Sequence, residues 1–184
     1  MHTTSDCLLP TLPERLARAR DDLAMGLSCL LTHEGARAVV VAVETLSQAR
    51  FDALCQRFGT PELILTAQRA QAIMPVAVEI NEPLVRLQPP AQAGLEWFKA
   101  LSDTQFDAGR RPEGPLHMIR SPQTSLHGLS IKLVKLAELL PAVAMFAVAG
   151  DACLDDLPFA TLVADEALDA LMVPPVLAQV LSLI

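Results

Sequence analysis

The sequence contains no tyrosine and one tryptophan, and aromatic residues make up only 4% of its 184 positions. Apolar residues nevertheless make up 52%, slightly more than in an average soluble domain. We therefore expect a core built from leucine, valine, alanine and isoleucine. A chain of this length is expected to form one domain that buries such a core without disulfide or metal cross-links.

Positive charge is also scarce, since the formal net charge is −7 and the isoelectric point is near 5.0. A nucleic-acid-binding protein needs a basic face to neutralise phosphates, so we expect no nucleic-acid partner. No window of about 18 uncharged apolar residues is present, so we expect no membrane span. The N-terminus lacks a basic start followed by an apolar run, which argues against a signal peptide. We therefore predict a cytoplasmic protein.

Several signatures of known chemistry are missing. The sequence has no P-loop, no Gly-x-Gly-x-x-Gly stretch and no Gly-x-Ser-x-Gly elbow, so it lacks the usual marks of nucleotide binding and serine hydrolysis. Its four cysteines are far apart and form no Cys-x-x-Cys pair, which argues against a zinc site. We expect reduced, mostly buried thiols at Cys7, Cys29, Cys55 and Cys153.

Apolar periodicity predicts that strands alternate with helices along the chain. A first helix begins at Pro13 and ends at Gly26, and a second follows the N-cap Ser47. The first helix should bury Leu16, Ala19, Leu23 and Ala24. Predicted strands cover 27–32, 38–44, 61–66, 116–119 and 142–149. Further predicted helices cover 67–73, 95–103, 129–140 and 165–171, and the third of these has Ser125 or Ser130 near its start. This order indicates the α/β class, with a mixed α+β sheet and helices packed on it.

A polar stretch between two predicted strands invites a chemical interpretation. His33 and Glu34 lie there, and such a pair can bind a metal or move a proton. The same pair is common on protein surfaces, so a solvent-exposed loop is the alternative. Glu44 follows an apolar strand at its C-terminal end, where α/β sheets often bind ligands. Glu44 is therefore the single acid most suited to catalysis.

Three further residues suggest an anion site. His127 precedes a predicted helix, where it could help to hold an anion at the helix N-terminus or simply cap the helix. Arg111 and Arg120 flank a long predicted loop, and clustered arginines can grip phosphate through forked hydrogen bonds. A solvated loop is the alternative for the arginines. We predict Arg111, Arg120 and His127 as candidate phosphate-binding residues, and we predict no metal site.

The opening segment PERLARARDDLAMGLSCLLTHEGARAVVVAVETLS resembles the start of 3,4-dihydroxy-2-butanone-4-phosphate synthase, an enzyme of the riboflavin pathway. That family begins with an amphipathic helix, a glycine, a strand, an acidic loop and a strand that ends in Ala-Glu-Thr; Gly26, Glu44 and Thr45 occupy those places. RRPEGPLHMIR and SLHGLSIKLVKLAELLPAVAMFAVA are similar to two later family segments. The resemblance spans roughly residues 13 to 172.

The sequence departs from the family at the residues that carry its chemistry. The family's Asp-Arg-Glu-Asn-Glu loop holds magnesium, whereas this sequence has Thr-His-Glu-Gly-Ala-Arg there, with one carboxylate. Magnesium prefers several hard oxygen ligands. The family's metal-binding His and the acid behind it align with Leu126 and Gly128, and its phosphate-binding Arg aligns with Gln123. The His of its Arg-Pro-Gly-His loop aligns with Pro115.

The resemblance therefore implies a synthase-like fold without the synthase chemistry and without a cofactor. Its role would be that of a binding, assembly or regulatory module in riboflavin synthesis. Two alternatives stay open. One is an active magnesium-dependent sugar-phosphate lyase with a rebuilt site at His33, Glu34, Glu44 and His127. The other is a phosphorylated-metabolite sensor that uses the three phosphate-binding candidates.

The segments GTPELILTAQRAQAI and LHGLSIKLVKLAELLPA are also similar to a degenerate synthase domain. That domain precedes the zinc-dependent half of some bacterial GTP cyclohydrolase II proteins. The resemblance implies a homodimer and a partner such as a GTP cyclohydrolase II domain or another riboflavin-pathway protein. We expect an N-terminal tail over 1–12, one domain over 13–172 and an apolar tail over 173–184 that could cover a partner or the dimer seam.

Overall fold

The structure places five α-helices and seven strands in the part of the chain that it describes. The computed structural model describes residues 9–74, 82–106, 116–150, 152–154, 157, 159–164, 166–167 and 171. The helices are α1 (Leu12–Ala24), α2 (Gln48–Phe58), α3 (Ala67–Ile73), α4 (Leu95–Ser102) and α5 (Ser125–Leu136). The strands are β1 (Cys29–His33), β2 (Ala36–Ala42), β3 (Glu62–Thr66), β4 (Leu84–Gln88), β5 (His117–Met118), β6 (Ala142–Val148) and β7 (Ala160–Val163).

The strands form one mixed sheet in the order β5-β4-β3-β6-β2-β1-β7. Among the strands that the structure describes, β1 and β7 are parallel, and the other neighbouring pairs are antiparallel. The long strand β6 lies at the centre, where Ala144 pairs with Val41 on one side and with Leu63 on the other. The sheet therefore joins segments that are far apart in sequence.

Side chains that alternate along the strands divide the core into two layers. Val40 and Ala42 belong to the layer beneath α1 and α5, while Val39 and Val41 belong to the layer beneath α2, α3 and α4. The predicted burial of this strand on both faces is confirmed. The second layer holds Phe51, Phe98 and Phe146, which are three of the few aromatic side chains in the sequence.

Helix boundaries follow the caps that the sequence supplies. The Ser47 hydroxyl accepts a hydrogen bond from the Arg50 N–H at the start of α2, and Gly59 ends that helix with a positive φ of 84°. The predicted helix over 67–73 is confirmed at both ends. At the end of α1, Gly26 has a φ of 70°, and a Cβ there would lie 2.3 Å from the Thr45 carbonyl oxygen. Glycine is therefore required at this position.

Two sequence expectations need correction, and one strand was missed. Of the two serines expected near the start of α5, Ser125 is the first helical residue, because Thr124 serves as the N-cap, and Ser130 is buried inside the helix. The helix therefore begins four residues before the predicted segment at Leu129. Ala24 is exposed, since the inward stripe of α1 is completed by Leu23 one position earlier. Strand β7 was not predicted; its short alternating pattern is too weak a signal by itself.

Some expectations concern residues outside the described part of the chain. Positions 1–8 of the predicted N-terminal tail and the whole predicted apolar tail over 173–184 lie there. Positions 75–81, in the proline-rich middle where edge strands and turns are expected, lie there too. Within the residues that the structure describes, no helix has both the length and the apolar character needed to cross a lipid bilayer.

Candidate functional site

The His33–Glu34 pair sits on a tight hairpin and not in an open loop. Strand β1 turns into β2 through two residues, Glu34 and Gly35, whose φ values of 47° and 83° are both positive. Positive φ at both central positions is typical of the turns that join antiparallel strands most directly. The Glu34 side chain is 85% exposed, and its Oε2 lies 3.8 Å from His33 Nε2. The hairpin thus presents one solvated carboxylate.

Glu44 lies beyond the opposite end of β2. The six residue steps of that strand separate the hairpin from Glu44 by about 20 Å. The Glu44 Oε2 accepts a hydrogen bond of 2.6 Å from the Leu140 N–H, which ties this carboxylate to the segment that leads into β6. The structure therefore does not bring His33 and Glu34 together with Glu44.

A small cleft beside Glu44 is lined by Val43, Glu44, Lys99, Ser102, Asp103 and Leu140. Its volume is about 70 Å³. Pockets that enclose a small-molecule ligand usually measure about 300–1,000 Å³, so this cleft is too small to enclose a sugar phosphate.

His127 occupies the first turn of α5 and is buried, with 7% of its side chain exposed. Its Nδ1 accepts a hydrogen bond of 2.8 Å from the Thr124 backbone N–H. Because a backbone N–H can only donate, Nδ1 carries no proton and the neutral ring is protonated at Nε2. That Nε2 donates to Glu62 Oε1 at 2.9 Å. His127 therefore caps its own helix, which is one of the two roles that the sequence allowed.

Glu62, at the start of β3, is held from both sides. While His127 contacts its Oε1, the guanidinium of Arg86 on β4 donates to its Oε2 from Nε at 2.9 Å and from Nη2 at 2.7 Å. The remaining Arg86 nitrogen, Nη1, donates to the Ser121 carbonyl and hydroxyl oxygens and to the Pro122 carbonyl. We refer to Glu62, Arg86 and His127 as the Glu62 cluster.

Burial opposes ionisation of Glu62, yet the net effect on its pKa is downward. The hydrogen bonds from His127 and Arg86, together with the positive charge of Arg86, outweigh the desolvation and hold the pKa of the carboxyl below its ordinary value. Glu62 is 14% exposed and Arg86 is 12% exposed. The cluster is thus a largely buried, charge-paired network with its polar atoms satisfied.

Sequence reasoning missed Glu62 and Arg86. A signal was available, because the alternation within β3 places Glu62 on the same face as Ile64, toward α5, and Ile64 pairs with Arg86 across the sheet. A charged residue at an inward strand position predicts a buried partner of opposite sign. The register that joins β3 to β4 is needed to identify that partner, and no local pattern reveals it.

The structure describes two of the three predicted phosphate-binding residues. Arg111 lies outside the described residues. Arg120 is exposed in the segment between β5 and α5. His127 donates inward to Glu62 and not toward solvent. The Arg111–Arg120–His127 site stays a prediction.

The cysteines differ in their exposure. Cys29 is buried, Cys55 is half-buried and Cys153 is exposed, and none of these three forms a disulfide. Burial, with a contribution from the charge of Asp22, raises the pKa of the Cys29 thiol to about 12. A thiol of that kind is an inert part of the core. Cys7 lies outside the described residues.

The resemblance to the synthase family implies magnesium, and the described residues do not fit it. No group of three or more His, Cys, Asp or Glu side chains in this part of the chain could hold a metal ion. Magnesium is usually held by carboxylates that share its shell with water or substrate oxygens. Here Glu34 and Glu44 are at opposite ends of β2, and Glu62 is already paired with Arg86 and His127.

No protein-family model and no curated protein matches this sequence. Solved structures do match. The two-domain 3,4-dihydroxy-2-butanone 4-phosphate synthase RibBX from A. baumannii is similar with a TM-score of 0.55 and 14% identity, over 85% of this chain and 52% of that chain. The present chain thus spans about half the length of RibBX.

The 3,4-dihydroxy-2-butanone 4-phosphate synthase of Candida albicans is similar with a TM-score of 0.62 and 12% identity, over 86% of this chain and 97% of that chain. A synthase of the same name in complex with two magnesium ions has a TM-score of 0.59 and 10% identity, over 88% and 96% of the two chains. These matches agree with the seven-stranded mixed sheet and the five helices described above. The predicted fold class is confirmed, and the chain has a 3,4-dihydroxy-2-butanone 4-phosphate synthase-like fold.

Proposed function

We propose that this chain is a catalytically degenerate synthase-like domain that serves riboflavin synthesis as a binding, assembly or regulatory module. The observation that carries the proposal is that two acidic side chains already form hydrogen bonds or ion pairs within the chain. Glu44 accepts the Leu140 N–H, Glu62 is paired with Arg86 and His127, and the exposed Glu34 lies on a hairpin turn beside His33.

The chemistry of the resembling family explains why this engagement matters. Its reaction rearranges a pentulose phosphate and expels formate, which requires a metal, acids and a phosphate grip at one place. A group can serve as a general base only within hydrogen-bond reach of the proton that it removes. The hairpin, Glu44 and the Glu62 cluster lie in three separate parts of the fold, so they cannot act on one substrate in this arrangement.

An assay with ribulose 5-phosphate and magnesium tests whether the chain lacks synthase activity. Formate is measured by NMR, with the Candida albicans synthase as a positive control and a reaction without protein as a blank. We expect no formate above the blank. Magnesium-dependent formate release that is lost in Glu44→Gln would instead support the active lyase with a rebuilt site.

The proposed assembly role is supported by the occurrence of this fold in the two-domain RibBX chain. We propose a homodimer that binds a GTP cyclohydrolase II domain or another riboflavin-pathway protein. Light scattering after size exclusion should give twice the monomer mass, and a purified cyclohydrolase II should co-elute with the chain. A monomer that co-elutes with no pathway protein would argue against this role.

The sensor alternative is tested by thermal shift with ribulose 5-phosphate, GTP and flavins. A ligand that prefers the native state must raise the melting temperature as its concentration rises. We expect no such rise for a pure assembly module. A saturable rise with one phosphorylated metabolite, reduced in Arg120→Met, would support a sensor.

A further inference from the structure

We propose that a recess beside Arg37, on one face of the sheet, binds a small carboxylate with an apolar tail. The acid group contacts Arg37, and the apolar part lies against Leu157 and Phe159. We call this surface the Arg37 recess. The inference does not depend on the proposed function, because none of the acidic residues that carry that proposal lines the recess.

The Arg37 recess lies between the sheet and the segment that connects β6 to β7. Leu30 on β1 pairs with Val39 on one side and with Thr161 on the other, so these three side chains share the face that carries the second core layer. Arg37 lies two residues before Val39 on β2 and is therefore on the same face. Leu30, Arg37 and Thr161 line the recess from the sheet. The connecting segment supplies the other lining residues, which are Ala152, Cys153, Leu154, Leu157 and Phe159.

The size and lining of the recess suit a small-molecule ligand. Its volume is about 560 Å³. Small-molecule sites usually measure about 300–1,000 Å³ and combine apolar walls with a few polar groups that orient the ligand. A second recess of about 410 Å³ beside α2 shares Leu157 and Phe159 as lining residues. The apolar surface thus continues past the first recess, which favours a ligand with an extended apolar part.

Arg37 supplies a positive charge that its own contacts hold in place but do not neutralise. Its Nη2 donates to the carbonyl oxygens of Ala149, Gly150 and Ala152 at 2.6, 2.8 and 3.0 Å. These acceptors carry no formal charge, and no carboxylate in the described part of the chain pairs with Arg37. Its Nε and Nη1 have no acceptor among the same residues, so both can donate to a ligand. A guanidinium binds an ionised acceptor more strongly than a neutral one, so charge complementarity favours an anionic head group.

Four probes separate charge from apolar burial. Octanoate carries both the acid group and an alkyl chain, and butyrate keeps the acid with a shorter chain. Octanamide has the shape of octanoate without its charge, and octylamine has the opposite charge. The last probe is needed because Asp151, Asp155 and Asp156 belong to the connecting segment in sequence and lie outside the described residues. Each additional buried methylene should strengthen binding by up to about fourfold.

Isothermal titration calorimetry of the wild type with these probes tests the proposal. We expect saturable binding of octanoate and about tenfold weaker binding of octanamide, because a hydrogen bond to a charged group is the stronger one. Butyrate should bind more weakly than octanoate, and octylamine should bind no more tightly than octanamide. The proposal would be overturned if octanoate does not bind, or if any other probe binds as tightly as octanoate.

A pair of variants tests the role of Arg37. Arg37→Met removes the charge but keeps an apolar chain, so it should weaken octanoate binding about tenfold and leave octanamide binding unchanged. Arg50→Met is the matched control, because Arg50 also donates to two carbonyl oxygens, those of Met25 and Gly26, and does not line the recess. It should bind octanoate as the wild type does. Equal octanoate affinities of the two variants would contradict the role of Arg37.

Cys153 locates the bound probe in the wild type, so this test does not require a variant to fold. Its exposed side chain lines the recess, whereas Cys55 is half-buried on α2 and does not. Octanoate should slow the alkylation of Cys153 by iodoacetamide without slowing that of Cys55, as measured by mass spectrometry of the two peptides. Butyrate at the same concentration is the control and should protect Cys153 less. No protection of Cys153, or equal protection of both thiols, would overturn the proposal.

Discussion

The β1–β2 hairpin and the Glu62 cluster show two ways in which charged residues can be placed in the same fold. On the hairpin, His33 and Glu34 are neighbours in sequence, and the acid is almost fully exposed. In the cluster, Arg86 is 24 positions and His127 is 65 positions from Glu62 in sequence, yet the three side chains meet in a largely buried network. Adjacency in sequence therefore produced a weak surface pair, while convergence through the sheet produced the stronger interaction.

The largest expected effect is the loss of Arg86. Arg86→Met should lower the free energy of unfolding by about 3–5 kcal/mol, because it leaves the Glu62 carboxylate buried without its cation. The exposed Arg120→Met is the matched control and should change stability by less than about 0.5 kcal/mol. Urea denaturation at neutral pH measures both. Similar values for the two variants would remove the contrast between buried and exposed charge in this fold.

A smaller, pH-dependent effect should come from Glu62. Since its folded pKa lies below the unfolded value, the stabilisation is complete above about pH 4.3 and is lost as the pH falls through the folded pKa. The wild type should therefore lose stability on acidification more steeply than Glu62→Gln. Glu34→Gln is the control from the hairpin and should follow the wild type. Parallel acid unfolding curves for the wild type and Glu62→Gln would contradict this.

The backbone of the hairpin should matter more than its side chains. Gly35 has a φ of 83°, and a Cβ there would meet no atom within 4 Å, so Gly35→Ala tests backbone strain alone. We expect a loss of about 1–2 kcal/mol from the left-handed conformation. Thermal or urea denaturation is sufficient to detect it. An unchanged stability would indicate that the turn adopts another conformation.

The smallest effect should come from the hairpin carboxylate. Glu34→Ala removes a solvated acid that lies 3.8 Å from His33, and the expected change is within about 0.5 kcal/mol. A loss comparable to that of Arg86→Met would show that the hairpin contributes as much as the cluster, and a contact beyond the described ones would then have to be sought.

The sequence allowed most of the fold to be predicted but little of the site. The run from Ala38 to Val43 identified a strand buried on both faces, and Ser47 and Gly59 marked a helix, because these signals are local. The Glu62 cluster depends on the register between β3 and β4 and on the packing of α5, which are set by tertiary structure. Strand β7 was missed for a similar reason, since four alternating residues become a strand only against β1.

The parallel pairing of β1 with β7 has a consequence for biosynthesis. On one side Leu30 pairs with Val39, which is synthesised only nine residues later. On the other side its partner is Thr161. During translation the outer edge of β1 must therefore wait for some 130 further residues, at about 5–20 residues per second, before it is covered. Unpaired strand edges invite association with other chains. Nascent chains on a polysome should accordingly be most prone to aggregate before β7 leaves the ribosome.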